Sequence, residues 1–331
     1  MNVTVTSCLN PKYPVTDTIK WPSSYGPVTW QPFLGWKTQN FSGKWKSDDN
    51  CDLHRFKQSE LEQCFNSGDS SITVVGDSVA RQLLPAFELY LNGQECCYHD
   101  SKHSVIPSFI IPNMTKARYQ YSTTFFDKDS SRKIFRKFRK NKLLIYGPSI
   151  LHPIKPISSR FIKENSDKNY QDIDFKGFDD LTNTLTDRII NAAVRNIFPN
   201  IKTQIEKYAD MHVFFLPQHY VYRTPASNMQ MHITAIEQYN EKLQKSIFKH
   251  LNHPRVIWLD VVKKITMSPG GALLVPDGTH LNWAANKQIH EKMIPSSLSL
   301  VVTHRAIIDV VMNTVCRKYV VQDLGTNLCC K

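Results

Sequence analysis

Ser71-Ile72-Thr73-Val74-Val75-Gly76-Asp77-Ser78-Val79-Ala80-Arg81-Gln82 sets a short β-branched run directly against an amphipathic helical pattern that continues to Leu91. The run ends in Gly-Asp-Ser. A strand that passes into a helix through a serine presents that serine at the carboxyl edge of a parallel sheet, with its own N–H at a helix N-terminus. Far downstream, Pro276-Asp277-Gly278-Thr279-His280 places a carboxylate and an imidazole three residues apart. Ser78, Asp277 and His280 thus follow the chain order Ser…Asp…His of a hydrolase-like triad, which predicts acyl-transfer chemistry.

Gly-Asp-Ser by itself carries little information, because it occurs twice. Gly68-Asp69-Ser70 lies in a polar turn with no strand behind it. Gly76-Asp77-Ser78 has the strand before it and the helical pattern after it, with Pro85 as the place for a kink. The spacing Asp-x-x-His also recurs, at Asp100 and His103, but that pair follows Cys96 and Cys97 close behind the serine helix and reads as loop. Pro-Asp-Gly is turn chemistry, so Asp277 and His280 alone would suit a surface turn. The well-placed Ser78 is what makes them catalytic candidates.

At 331 residues, with 41% hydrophobic and 21% charged residues, the chain is expected to fold around one sizeable α/β core with an extension. No apolar stretch reaches the roughly 18 residues of a membrane span, and Met1-Asn2-Val3-Thr4 does not open a signal peptide. That leaves a soluble cytosolic protein or a piece of a longer membrane protein. The cysteines favour the second. Cys8, Cys51, Cys64, Cys96, Cys97, Cys316, Cys329 and Cys330 make an even set gathered in the N-terminal arm, one loop and the tail. Crosslinks there would pin arm and tail to the domain, although eight cysteines allow 105 pairings and none is singled out. Zinc held by Cys96, Cys97, His99 and His103 is the competing reading, disfavoured by adjacent cysteines in place of CxxC. Sequons at Asn2, Asn40 and Asn113 agree with an oxidising, glycosylating lumen.

The net charge of +12 has a local source: Arg132 to Lys142 holds seven basic residues interleaved with Ile134, Phe135 and Phe138, and feeds into Leu143-Leu144-Ile145-Tyr146. A lysine-protected edge strand is one explanation. A docking patch for an anionic small molecule is another, and an acidic membrane surface a third. No nucleic-acid-binding motif accompanies the charge.

The order of elements predicts a doubly wound parallel sheet. Residues 1–70 form an extension marked by Trp21, Trp30, Trp36 and Trp45, and 71–331 the catalytic domain. Irregular β-like pieces are expected at 104–111 and 118–126, and a strand at Leu143–Tyr146 ending in Gly147-Pro148-Ser149. A polar segment then leads to helical pattern over 180–208, interrupted near Pro199. A strand at Val213–Leu216, a helix over 232–251, a strand at Val256–Asp260, the loop 275–282 and helices near 284–293 and 297–316 complete the reading. Strands alternating with long helices imply a three-layer α/β/α sandwich with ligands at the carboxyl ends of the strands.

Gly-Asp-Ser opening a domain and Asp-x-x-His closing it resemble the GDSL/SGNH family. Trp45-x5-Cys51-x-Leu53-His54-Arg55-Phe56-Lys57-x-Ser59-Glu60-x3-Cys64, followed by Gly76-Asp77-Ser78-x-x-Arg81-Gln82, is similar to the PC-esterase branch of that family. Within it, the match is to the luminal domain of eukaryotic sialic acid O-acetyltransferases and their fungal capsule O-acetyltransferase relatives. Tyr239-Asn240-Glu241, Asp277-Gly278-Thr279-His280-Leu281 and Met312-Asn313-x2-Cys316 extend the likeness over roughly 40–331.

The resemblance implies an SGNH-hydrolase-like sandwich with Ser78 as nucleophile, His280 as general base and Asp277 orienting it. It implies a carbohydrate O-acetyltransferase that draws on acetyl-CoA, holds no tightly bound cofactor or metal, and acetylates a sialic acid or related glycan. The setting is the secretory lumen, the Golgi foremost, with membrane contact only through segments absent from this chain. A carbohydrate O-acetylesterase and a non-catalytic neurexophilin-like binding protein are the alternatives. The SGNH asparagine block Gly-x-Asn-Asp is missing, so Gly147 and Ser149 become candidates for the second oxyanion donor, beside the Ser78 N–H. Arg81 has two readings, substrate-side contact or structural ion pair. His54 and Arg55 likewise suit an active-site wall or an anchor for the extension.

Overall fold

The structure is a computed structural model that describes residues 11–12, 46–47, 54, 56–65, 71–91, 108–110, 116–121, 143–147, 150–168, 172, 174–219, 226–263 and 299–320. Two short strands, β1 (Pro11–Lys12) and β2 (Lys46–Ser47), pair antiparallel in the N-terminal region. Helix α1 (Gln58–Phe65), strand β3 (Ser71–Gly76) and helix α2 (Ser78–Leu91) follow. Then come β4 (Ser108–Ile110), β5 (Lys116–Tyr121) and β6 (Leu143–Gly147), leading to helices α3 (Leu151–Glu164), α4 (Lys176–Asn196) and α5 (Phe198–Lys207). Strand β7 (His212–Phe215), helix α6 (Ala226–His250), strand β8 (Val256–Trp258) and helix α7 (Ser299–Val320) complete the described elements.

The main sheet runs β4-β5-β3-β6-β7-β8. Four parallel pairings join β5, β3, β6, β7 and β8, and β4 adds an antiparallel edge. Period-2 alternation explains how one sheet feeds two cores. Ile72, Val74, Leu143, Ile145, Phe214 and Ile257 point to one face, which α1, α2 and α7 cover with Leu61, Leu84, Phe87, Ile308 and Val311. Val75, Leu144, Tyr146, Val213, Phe215 and Trp258 point to the other, covered by α3 to α6 through Ile154, Phe178, Ile201, Tyr239 and Leu243. The fold is therefore mixed α/β, with helices on both faces of a largely parallel sheet.

Several expectations change here. The polar segment expected between Ser149 and the helical pattern at 180 contains helix α3, which carries Pro153 and Pro156. Pro156 is tolerated because it lies on the exposed side, where water can serve the carbonyl that loses its partner. Ile150, Ile154, Ile157 and Phe161 meanwhile keep the apolar face against the sheet. The break near Pro199 is real: α4 ends at Asn196 and α5 begins at Phe198, with proline in its first turn. The edge-strand explanation of the basic run does not hold for the strand that it enters, since β6 lies between β3 and β7 in the sheet interior. Residues 131–142 and the helix expected near 284–293 lie outside the described residues. Among the described residues, no helix is long and apolar enough to cross a membrane.

Residues 54–65 are tied to the last helix. Cys64 and Cys316 form a disulfide between α1 and α7. Asn313 of α7 accepts from the His54 backbone N–H and donates to the His54 carbonyl, both at 2.9 Å. His54 is thus an anchor, its ring edge-on to Phe56 and its Nε2 3.0 Å from Glu60 Oε2. Glu60 also accepts the Lys57 N–H at 2.6 Å, the reach-back half of a capping box at the start of α1. Burial alone would raise the Glu60 carboxyl, but the Lys57 N–H, His54 and the Lys57 charge outweigh it and hold it below the ordinary carboxylate range.

Because the folded value is the lower one, Glu60 binds its proton less readily in the folded chain than in the unfolded chain. Its contribution is therefore complete above the unfolded value of about 4.3 and fades as the pH falls through the folded value. Glu60→Gln should cost on the order of 1 kcal/mol at neutral pH. Urea titrations over a pH series should show that gap closing in acid. A gap that stays constant or widens below the carboxylate range contradicts a stabilising role for the Glu60 charge.

Candidate active site

Strands β3 and β6 end at the same level, Gly76 opposite Gly147. A Cβ at Gly76 would lie 2.5 Å from the Gly147 carbonyl oxygen and inside contact distance of the Ala80 methyl. A Cβ at Gly147 would lie 3.1 Å from both Ala80 and the Leu216 side chain. The missing side chains let the first turn of α2 close down over the two strand ends. Asp77, 3% exposed, fills the junction, and Ser78 is the first residue of α2. Its N–H belongs to the first helical turn, whose donors have no acceptor within the helix.

The strand order makes this junction special. Counting only the parallel strands in chain order, the sheet runs second-first-third-fourth-fifth. The chain leaves β3 through α2 on one face toward β5, and leaves β6 through helices on the other face toward β7. The two connections diverge, so a crevice opens between the carboxyl ends of β3 and β6, where doubly wound sheets bind ligands. Gly-Asp-Ser sits at that switch point. The first Gly-Asp-Ser, at 68–70, precedes β3 and has no such position.

A buried polar group lies beside it. After β7 the chain continues through Leu216 and Pro217 to Gln218 and His219, both under 5% exposed. Asn240 of α6 accepts the Gln218 N–H at 2.9 Å and donates to the Gln218 carbonyl at 2.7 Å, clamping that backbone. Gln218 Nε2 in turn lies 3.3 Å from the His219 carbonyl. Tyr239, just before Asn240, is wholly buried, and among the described residues its hydroxyl has no hydrogen-bond partner. Burial pushes the Tyr239 hydroxyl well above the ordinary tyrosine range, and the Asp77 carboxylate raises it further. Tyr146, near the end of β6, is raised in the same way by burial and then by Tyr239. Both phenols therefore stay protonated at neutral pH. For Tyr239, a buried hydroxyl left without a partner costs the fold about 1–3 kcal/mol.

Of the residues expected from sequence, the structure places Gly147 at the end of β6 opposite Gly76, and Ser78 two residues beyond Gly76, at the start of α2. Arg81 lies about one turn further along α2. Ser149, Asp277 and His280, together with Arg55, Cys96, Cys97, His99 and His103, lie outside the described residues. Tyr239, Asn240 and the buried Gln218–His219 turn were not assigned roles from sequence. The available signal was an asparagine inside the core stripe Ile236–Asn240–Leu243–Ile247, where packing alone calls for an apolar residue. No protein-family profile matches the chain, and no curated protein is significantly similar to it.

The glycine approach has a direct test. Gly76→Ala should destabilise by about 1–3 kcal/mol or more, because Ala80 and the Gly147 carbonyl cannot both move aside. Gly177→Ala, in α4 with open space where its Cβ would go, should be neutral or stabilising by up to about 1 kcal/mol. Equal urea midpoints for the two variants would show that the strand ends are not tightly closed.

Proposed function

We propose that the chain is a serine acyltransferase of the SGNH type, acetylating a hydroxyl of a sialic acid or related glycan from acetyl-CoA in the secretory lumen. The observation that carries this reading is the position of Asp77-Ser78 at the switch point, in the crevice between β3 and β6. The family likeness read from the Cys51–Cys64, Gly76–Gln82 and Asp277–Leu281 blocks supplies the rest of the triad and the substrate class.

His280 takes the Ser78 hydroxyl proton as the serine oxygen attacks the thioester carbonyl. The carbon–sulfur bond breaks, the proton passes from His280 to the departing thiolate, and acetyl-Ser78 remains. A sugar hydroxyl then gives its proton to His280 and attacks that ester. The Ser78–acetyl bond breaks, and the serine oxygen recovers the proton. Asp277 holds the imidazole in the useful tautomer and balances its charge when protonated. The Ser78 N–H stabilises the oxyanion in both halves, with Gly147 or Ser149 as the candidate source of a second backbone donor and Arg81 as a substrate-side contact.

Ser78→Ala and His280→Ala should each lower turnover of an activated acetyl ester by about a thousandfold or more, and Asp277→Ala by as much or less. Near-normal turnover by Ser78→Ala removes the covalent mechanism. Release of acetate without sugar acetylation, across a panel of glycans, would replace transfer by hydrolysis.

A further inference from the structure

The Tyr239 phenol is retained where a phenylalanine would serve the core better. Its ring lies in the apolar cluster between α6 and the sheet, fully buried. Its hydroxyl gains nothing for the fold among the described residues, where it is buried without a hydrogen-bond partner. The turn of helix that carries it is not free to move the hydroxyl elsewhere: the adjacent Asn240 is locked to the Gln218 backbone at 2.7 and 2.9 Å. Tyr239 shares its cluster with Val75 and Tyr146, which face each other on β3 and β6 one step before the glycine pair. Asp77 follows two residues after Val75, and its carboxylate adds to the effect of burial in raising the phenol.

We propose that Tyr239 is a positioning residue for the nucleophile: its hydroxyl, fixed in place by the Asn240–Gln218 clamp, is a standing donor for the Asp77 carboxylate when the Gly76-Asp77-Ser78 turn takes up its reacting geometry. A buried donor that is unsatisfied at rest and satisfied in the transition state favours the transition state alone, which raises kcat rather than lowering KM. The hydroxyl never leaves the neutral form, so it donates throughout the working pH range. The α6 turn thereby ties two strand ends together, with Asn240 holding the end of β7 and Tyr239 serving the end of β3. This inference rests on the acyl-enzyme reading of Ser78.

The test compares Tyr239→Phe with the parent chain in stopped-flow acylation of Ser78 by p-nitrophenyl acetate, followed by mass mapping of the acetylated peptide. Tyr239→Phe should slow acylation about tenfold or more with KM within about twofold. Its melting temperature should be unchanged or higher, because the unpaired hydroxyl is gone. Thr186→Val, which removes a buried hydroxyl on α4 that likewise has no partner among the described residues, should leave acylation unchanged. In an Asp77→Asn background, Tyr239→Phe should have little further effect, since both act through one contact. Unchanged acylation in Tyr239→Phe, or a loss that comes with a lower melting temperature and a higher KM, overturns the proposal. Should Asp77→Asn fail to fold, Tyr239→Phe alone decides. A parent chain that never carries acetyl on Ser78 overturns the acyl-enzyme reading and this inference with it.

Discussion

Two neighbouring parallel strands end in glycine at one level, and a helix begins directly over them. Any side chain at Gly76 would collide with Ala80 and with the Gly147 carbonyl, so the first turn of α2 can approach the sheet only because both positions lack a Cβ. That approach buries Asp77 at the junction and starts α2 at Ser78. It also falls between β3 and β6, where the helical connections diverge to opposite faces. Closing the core and opening the crevice are one structural event. A wider spacing at these strand ends would loosen the serine turn and the packing of α2 together.

Around this junction the two faces of the sheet do different work. The face covered by α1, α2 and α7 is held from outside the sheet, by the Cys64–Cys316 disulfide and the Asn313–His54 pair. These bonds bind a segment before the first main-sheet strand to the last described helix. In a chain-entropy account, closing so long a loop stabilises by several kcal/mol, of order 2–5. The opposite face brings polar groups inward at the carboxyl ends of the strands. Asn240, Gln218 and Tyr239 sit among apolar neighbours there. Gln218, His219 and Asn240 are buried there, as Thr182, Thr186, His304 and Asp309 are elsewhere in the fold, so what sets the strand-end group apart is the side-chain clamp that Asn240 places on the Gln218 backbone.

Much of this was readable beforehand, for local reasons. The β-branched run from Ile72 to Val75 followed by a 3.6-residue pattern marks β3 and α2 directly, and Pro199 marks the break between α4 and α5. Helix α3 is hard to read because it holds two prolines, Pro153 and Pro156, and the exposed side on which Pro156 falls is apparent only in the packed structure. The seven positive charges before β6 suggested an edge, but strand order is a long-range property that no local charge reports. The Asn240–Gln218 clamp spans 22 residues and has no spacing rule of its own. Its trace in the sequence is a polar residue within an apolar stripe, which becomes meaningful only once the partner backbone is in place.

The central claim is that the switch-point serine is activated by a distant histidine. Labelling with a fluorophosphonate, which phosphonylates only activated serines, followed by peptide mapping, tests it most directly. The account predicts one stoichiometric adduct, on Ser78, that disappears in His280→Ala while the variant keeps its melting temperature. An adduct on another serine, no adduct on folded protein, or undiminished labelling in His280→Ala would contradict it.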